Sequence, residues 1–253
     1  PDGRYIAYTI DAGDSDEVWR WDLLRSNANR VTFEGSNRYV SWSPEGDRLL
    51  FRRAGEGAVS KAPDGSGAVE AVIQNEGRSP VLSPDGRWLI WSIGQGLGLR
   101  VWYKSVDEGG EERPLFGSLF AEFSPVVSPD GRWIAYVAED DGEDQIYVSP
   151  VPELGARVKI SPQGGRGPVW SRDGTELFYR DYASQTLMAV EVRAAENFDV
   201  GSYAELFQES GYARINGGTA YDVGPDGQRF VFARGGGPTG GAKTVVVTNA
   251  LNR

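Results

Sequence analysis

The sequence contains no cysteine and no histidine among its 253 residues. Without cysteine there is no disulfide, no thiolate nucleophile and no cysteine-ligated zinc or iron–sulfur site. Without histidine there is no Ser-His-Asp or Cys-His catalytic group, no imidazole base and no histidine-containing zinc site. Only carboxylate, lysine, tyrosine or hard-cation chemistry stays open, and the sequence predicts no catalytic residue, no metal site and no cofactor.

Long apolar runs and an excess of positive charge are also missing. No run approaches the roughly 18 apolar residues that a membrane span requires, so we expect no membrane contact by this segment. The 36 acidic and 26 basic residues give a net charge of −10, which removes the counterion-release drive for binding nucleic acid, and nucleic acid is not an expected partner. In contrast, 34 glycines and 14 prolines indicate a domain rich in turns.

One phrase, Ser-Pro-Asp-Gly or a close variant, recurs six times along the chain. Its acidic residue, which we call the repeat mark, stands at positions 2, 45, 85, 130, 173 and 226, with spacings of 43, 40, 45, 43 and 53 residues. These spacings match the roughly 40–45 residues of a four-stranded propeller blade, with an insertion in the last interval. Proline, aspartate and glycine in this order favour a tight turn between two antiparallel strands.

Short runs rich in aromatic and β-branched residues follow each turn and are predicted strands. They span residues 5–10, 48–52, 88–93, 133–138, 176–180 and 229–233. With the other alternating runs, 22 of the 24 strands of six blades are accounted for, and residues 190–196 are interpreted as strand rather than helix. The predicted fold is all-β: a six-bladed β-propeller of four-stranded antiparallel blades with one blade incomplete at the termini. We expect a single domain over residues 1–253, as a fragment of a longer chain.

Five of the eight tryptophans recur in register with the repeat and are predicted to pack between blades rather than to stack on a ligand. They are Trp42, Trp88, Trp91, Trp133 and Trp170.

The repeat resembles that of a known group of bacterial propellers. Residues 128–136, SPDGRWIAY, resemble the WD40-like repeat of TolB-type proteins, and the resemblance covers the whole chain. It implies a TolB-like propeller from a bacterium, in the periplasm or another extracytoplasmic compartment rather than the cytoplasm. An alternative function that this resemblance implies is that of a periplasmic TolB-like assembly or transport protein.

The C-terminal half carries a second resemblance. Residues 146–152, 169–180, 187–192 and 221–230 resemble the propeller that follows the kinase domain in many bacterial Ser/Thr protein kinases. This resemblance implies an accessory domain for sensing or interaction. The segment itself has no Gly-rich phosphate loop, no H-R-D and no D-F-G, so it is not expected to have kinase activity.

Three arginines, Arg38, Arg78 and Arg166, stand seven residues before repeat marks. Each is predicted to lie where an innermost strand begins, so that the three line one mouth of the central channel. Glu122 with Phe123 takes this place in the fourth blade, and Arg214 in the inserted loop is a possible substitute. Such guanidinium groups could bind a carboxylate, a small anion such as phosphate, or an acidic segment of a protein or peptide partner. Alternatively, they pair with carboxylates of neighbouring loops.

Three other interpretations remain open. The acidic loops at residues 11–17 and 139–144 offer the oxygen ligands that calcium prefers, although neither has EF-hand spacing and solvated charge is the simpler explanation. A carboxylate-based hydrolase in the channel needs only two acids. The propeller of a prolyl-oligopeptidase-like enzyme would need a G-x-S-x-G and a histidine from elsewhere. The favoured hypothesis is a non-catalytic module for protein interaction or ligand sensing.

Overall fold

The structure is a computed structural model that describes residues 2–11, 15–107, 110–117, 120–151, 155–208, 219–234 and 243–247. Its regular structure consists of β-strands, and the one helix in these ranges is a single 3₁₀ turn at Gly96–Gly98. No helix in the described part of the chain has the length and apolar character needed to cross a membrane.

The described residues form 22 strands, numbered β1 to β22 in chain order, and each sheet is built from strands that are consecutive in the sequence. The first sheet contains β1 (Tyr5–Asp11), β2 (Asp16–Asp22) and β3 (Asn27–Arg30). The second contains β4 (Asn37–Trp42), β5 (Leu49–Arg53), β6 (Gly57–Lys61) and β7 (Glu70–Ile73). The third contains β8 (Arg78–Leu82), β9 (Trp88–Ile93), β10 (Arg100–Ser105) and β11 (Arg113–Pro114).

The remaining three sheets continue the same up-and-down order. The fourth contains β12 (Glu122–Val127), β13 (Trp133–Asp140), β14 (Glu143–Pro150) and β15 (Val158–Lys159). The fifth contains β16 (Arg166–Trp170), β17 (Glu176–Asp181), β18 (Thr186–Ala194) and β19 (Phe198–Gln208). The last contains β20 (Tyr221–Val223), β21 (Phe230–Arg234) and β22 (Lys243–Val247).

The predicted number of blades is wrong, although the all-β propeller architecture is confirmed. Six four-stranded blades require 24 strands, whereas the described residues form 22, which is enough for five such blades and not for six. In these residues the second to fifth sheets have four strands, and the first and last sheets have three each, so two sheets rather than one are incomplete. The repeat misled the count because each mark identifies only the turn that precedes one strand. It does not show that the other three strands of a blade are present.

The predicted turn chemistry is confirmed. In the third sheet, Ser83 is buried, and its Oγ donates to Asp85 Oδ1 at 2.5 Å and accepts from the Trp88 backbone N–H at 2.9 Å. The glycine of this turn, Gly86, has φ 71°, a left-handed conformation that glycine adopts without strain. The serine therefore closes the turn and fixes the start of the next strand. Equivalent pairs of bonds are made by Ser128 and Ser171.

These turns predict a dependence of stability on pH. The hydrogen bond from Ser83 lowers the pKa of Asp85, and the one from Ser171 lowers the pKa of Asp173. A carboxyl group with a lower pKa in the folded state stabilises the protein above its unfolded pKa of about 3.9, and this contribution is lost as the pH falls through the folded pKa. We expect urea denaturation between pH 7 and pH 2.5 to show less loss on acidification for the Asp85→Asn/Asp173→Asn double variant. An equally steep loss in the variant would contradict this prediction.

Five apolar clusters fill the spaces between sheets, each lying mainly between two sheets that are consecutive in the chain. The predicted structural role of the repeat tryptophans is confirmed in these clusters. Trp91 is fully buried and Trp133 and Trp170 are each 7% exposed, so no face is left for a ligand. Trp42 and Trp88 are half-buried and pack against the edges of two clusters.

The turn before the first sheet lies against the turn in the last sheet, so the two ends of the series of sheets are neighbours. A Cβ placed on Gly3, in the turn before β1, would lie 2.5 Å from Cγ of Pro225, in the turn before β21. Because such an approach is too close for any side chain, only glycine fits at position 3.

Candidate functional site

One mouth of the propeller is formed where the innermost strands of the four complete sheets begin. These strands are β4, β8, β12 and β16, and the hairpin loops that join the second and third strands of each sheet lie at the same end because the strands are antiparallel. We call this end the arginine mouth, because Arg38, Arg78 and Arg166 all lie in the first two positions of these strands. All three arginines therefore lie where an innermost strand begins, and a role of this mouth in binding stays a prediction.

Each innermost strand bends at this mouth through a one-residue β-bulge. In the second sheet Arg38 pairs with Arg52, but Ser41 pairs with Leu50, so one extra residue is inserted. The same shift occurs in the other three complete sheets. The residue after the arginine position has a left-handed backbone in all four strands, at Tyr39, Ser79, Ser124 and Gly167 with φ of 58°, 49°, 52° and 64°. Bulges re-aim the neighbouring side chains.

Two of the three arginines are used to join neighbouring sheets. Arg38 Nε donates to Asp16 Oδ2 of the first sheet, and Arg166 forms an ion pair with Asp144 of the fourth. The aspartate side chains are only 7% and 14% exposed, so both pairs are partly shielded from solvent. Asp16 and Asp144 each stand 14 residues after a repeat mark, at positions 2 and 130. The alternative interpretation, pairing with a neighbouring carboxylate, is therefore confirmed for Arg38 and Arg166.

Arg78 is different because it forms no ion pair with the described residues. By strand register, the counterpart of Asp16 and Asp144 in the second sheet is Glu56, the residue before Gly57, and it forms an ion pair with Arg53 of its own sheet instead. Arg78 instead lines a cleft of ≈ 290 Å³ together with Arg52, Glu76, Ile93, Gly94 and Gln95. Arg52 donates to Glu76, and this hydrogen bond lowers the pKa of the glutamate. Two arginines and one ionised glutamate leave the cleft with a net positive charge.

This contrast predicts different effects on stability. Arg38→Ala leaves the buried Asp16 carboxylate without its cation, which costs about 1–2 kcal/mol in the free energy of unfolding. Arg78→Ala removes no such pair and is expected to stay within about 0.5 kcal/mol of the parent protein. Chemical denaturation of both variants measures the difference, and equal losses would show that Arg78 is also structural.

Three buried polar atoms near the loop between β7 and β8 have no hydrogen-bond partner among the described residues: Arg52 Nε, Asn75 Oδ1 and Trp91 Nε1. A Cβ on Gly77 would lie 2.7 Å from Trp91 Cδ1 and 3.1 Å from Asn75 Oδ1. The loop between β7 and β8, which carries Glu76, therefore rests directly on the indole ring.

The other predicted site residues do not join this cleft. Glu122 is buried, at 2% exposure, and its backbone N–H donates to Leu99 O at 2.9 Å, so it lies inside the structure between the third and fourth sheets. Arg214 lies outside the described residues. In the acidic loop at residues 139–144, Asp144 pairs with Arg166 and Asp140 accepts a hydrogen bond from Tyr147. Among the described side chains, no group of three or more acids is placed to hold a metal ion.

Sequence reasoning missed the position of Arg52 and Glu76 at this cleft. Arg52 and Glu76 stand 24 residues apart and no motif links them. The repeat did contain a signal for Asp16 and Asp144, namely their equal distance from a mark, which comparison of the copies reveals.

No known protein family is matched by the sequence, and no curated protein is significantly similar to it. Solved structures are similar in fold. TolB from Acinetobacter baumannii superposes with a TM-score of 0.74 at 15% identity over 99% of this chain, which spans 62% of that protein. The putative TolB from Agrobacterium tumefaciens gives 0.72 at 18% identity, covering 98% of this chain and 86% of that one. Oligogalacturonate lyase from Vibrio parahaemolyticus gives 0.62 at 12% identity, covering 97% and 86%. The fold is therefore that of the TolB-type β-propellers.

Proposed function

We propose that this TolB-like propeller is a non-catalytic binding module that recognises a carboxylate of a protein or peptide partner at the arginine mouth. The observation that carries the proposal is Arg78. Arg38 and Arg166, at the same place in other copies of the repeat, form ion pairs between sheets. Arg78 lines an open cleft and forms no ion pair with the described residues. A half-buried guanidinium group in that position is a donor for a ligand rather than for the fold.

The chemistry of the cleft favours a carboxylate ligand. A guanidinium fork binds a carboxylate through two parallel hydrogen bonds, and the guanidinium group of Arg52 also lines the cleft. Glu76 is held by Arg52 and leaves the cleft with one net positive charge in a protein of net charge −10. The volume of ≈ 290 Å³ accommodates a side chain or chain terminus, and not a folded domain. An acidic residue or a C-terminus of a peptide fits these limits.

The cellular context belongs to the same proposal. The resemblance to the propellers of bacterial Ser/Thr kinases supports a role as the accessory domain of a signalling protein. The structural similarity to TolB supports an extracytoplasmic location and, as an alternative, a role in a TolB-like assembly. Both contexts require binding of a partner and no chemistry at the cleft.

Hydrolysis by a carboxylate pair is the competing hypothesis. The structural similarity to oligogalacturonate lyase, an enzyme, is the reason to consider it. Such an enzyme needs one acid that stays protonated while a second stays ionised. Among the described residues, the cleft holds one carboxyl group, that of Glu76, whose pKa is lowered by the hydrogen bond from Arg52. An acid of this kind is poorly suited to donate a proton, so the residues of the cleft favour binding.

The test is a titration of the protein with a fluorescently labelled tetraglutamate peptide, followed by anisotropy. Arg78→Gln is expected to weaken binding about tenfold, the loss of one charge-assisted contact. Arg87→Gln is the matched control because Arg87 is an exposed arginine at the opposite end of the same sheet and removes the same charge. Equal weakening by both variants, or no binding by the parent protein, would overturn the proposal. Release of a cleaved peptide product would favour the hydrolase instead.

A further inference from the structure

The hairpin loop between β9 and β10 forms one wall of the cleft at Arg78 and carries an exposed leucine. Ile93, Gly94 and Gln95 line the cleft. Leu97, two residues further along the same loop, lies in the 3₁₀ turn and is 68% exposed. Most of the apolar surface of this leucine is therefore in contact with water beside a positively charged cleft.

Hydrogen bonds hold this loop in one conformation. Within the turn, the backbone N–H of Gly98 donates to Gln95 O at 2.9 Å. The side chain of Arg100 donates to the carbonyl oxygens of Leu97 and Leu99 at 2.8 and 2.7 Å. Because the backbone on both sides of the leucine is already bonded, a ligand that covers Leu97 does not have to order the loop first.

The exposed apolar surface continues on the side of the fourth sheet. Phe120, in the segment that leads from the third sheet to the fourth, is 49% exposed. It stands two residues before Glu122, whose backbone N–H donates to Leu99 O at 2.9 Å, so it lies beside the same loop. Leu97 and Phe120 are two of the six large apolar side chains that are exposed among the described residues. Exposed apolar side chains that lie together indicate a contact surface, whereas single ones are ordinary.

We propose that the peptide recognised at the arginine mouth carries an apolar residue beside its acidic one, and that Leu97 selects this residue. The inference rests on the proposed function, because the carboxylate at Arg78 is what brings the peptide to the loop. Charge complementarity with Arg78 and Arg52 accounts for the acidic residue. Burial of the exposed surface of Leu97 accounts for the apolar residue. The occupant is thus a segment of a protein partner in which acidic and apolar residues are neighbours.

The two contacts respond differently to salt. Salt screens the attraction between the carboxylate and the exposed part of the arginine cleft. It does not weaken the burial of apolar surface against Leu97. A ligand that is acidic only would leave Leu97 in water and would lose its whole affinity as salt is raised.

The test compares two labelled pentapeptides, EELEE and EESEE, which differ in one side chain and keep the four glutamates of the tetraglutamate probe. By fluorescence anisotropy, we expect the parent protein to bind EELEE about fivefold more tightly, because part of a leucine side chain is buried. This ratio of affinities should persist in 0.5 M NaCl, although both affinities fall. Leu97→Ser should bring the ratio to about one and leave the binding of EESEE unchanged. Leu97→Met should keep the parent ratio.

Leu24→Ser is the matched control. Leu24 is 79% exposed and lies in the hairpin between β2 and β3. Its neighbour Leu23 donates its backbone N–H to Arg4 O, beside the first repeat turn. The repeat turns follow the innermost strands, so they lie at the end opposite the arginine mouth. Leu24→Ser therefore makes the same substitution far from the cleft and should keep the parent ratio.

Three results would overturn this inference and leave the proposed function intact. They are equal affinities of the parent protein for the two peptides, a ratio that disappears in 0.5 M NaCl, and equal loss of the ratio in Leu24→Ser and Leu97→Ser. Binding of neither peptide by the parent protein would overturn the proposed function and this inference together. Arg78→Gln tests the carboxylate contact alone, because it should weaken both peptides alike and keep their ratio.

Discussion

Replacement of Gly57 by alanine is expected to lower the free energy of unfolding by about 2–5 kcal/mol, as the sum of left-handed backbone strain and overpacking. Gly57 opens β6 with φ 95°. A Cβ on it would lie 2.3 Å from the carbonyl oxygen of Ile73 and 2.4 Å from that of Asn75. Both are backbone atoms and cannot rotate away, so the loop after β7 must move.

Gly55→Ala is the matched control. Gly55 lies two residues earlier with φ 80°, but a Cβ there would have no atom within 4 Å. Its alanine variant bears only the backbone strain of about 1–2 kcal/mol. Urea denaturation of the two variants distinguishes the steric collision at Gly57 from backbone strain alone. Equal losses in the free energy of unfolding would show that the collision has no effect. Because the displaced loop carries Glu76, we also expect Gly57→Ala to weaken tetraglutamate binding, whereas Gly55→Ala should not.

Trp91→Ala is the second large effect, with an expected loss of about 3–5 kcal/mol, as for other large aromatic side chains removed from a core. Trp91 is fully buried in the cluster between the second and third sheets, with Leu50 and Ile73 among its neighbours. Its ring also supports Gly77 and so the loop that forms one wall of the cleft. The variant should lose both stability and the arrangement of Arg78.

The size of the Trp91 effect can be checked on the same strand. Trp88 also lies on β9 but is half-buried, so Trp88→Ala is expected to cost clearly less. Trp91→Phe should be milder than Trp91→Ala because the indole N–H has no hydrogen-bond partner among the described residues and its removal breaks no bond. Thermal denaturation of the three variants tests this order, and a Trp88→Ala loss as large as that of Trp91→Ala would contradict it.

The turns and the strands that follow them were predictable because each copy of the repeat has nearly the same residues and forms the same turn. Serine, aspartate and glycine in fixed order state the hydrogen bonds of the turn, as Ser83, Asp85 and Gly86 show. The strand predicted at residues 88–93 is observed at Trp88–Ile93. The number of blades was not predictable in this way. It depends on all four strands of each blade, and only the strand after the turn is marked by a sequence motif.

The candidate site was only partly predictable. The seven-residue spacing placed Arg38, Arg78 and Arg166 at the start of innermost strands. It did not show which of them form ion pairs with a neighbouring sheet. That depends on Asp16 and Asp144, which lie on neighbouring sheets, and on Glu56, which pairs with Arg53 of its own sheet. The bulges were invisible for a different reason. Tyr39, Ser79 and Ser124 adopt left-handed backbones that their residue types rarely take, and only Gly167 carries the usual signal.

The building of each sheet from consecutive strands has a consequence for folding. Every strand pairing within a sheet closes a short segment of chain, so each sheet can form with little loss of loop entropy. Cooperation between sheets then comes from the five clusters, together with ion pairs such as Arg38–Asp16 and Arg166–Asp144, as in a linear array of coupled units. Units at the ends of such an array have one strong neighbour instead of two. We therefore expect native-state hydrogen exchange to show the first and last sheets opening at lower free energy than the third and fourth.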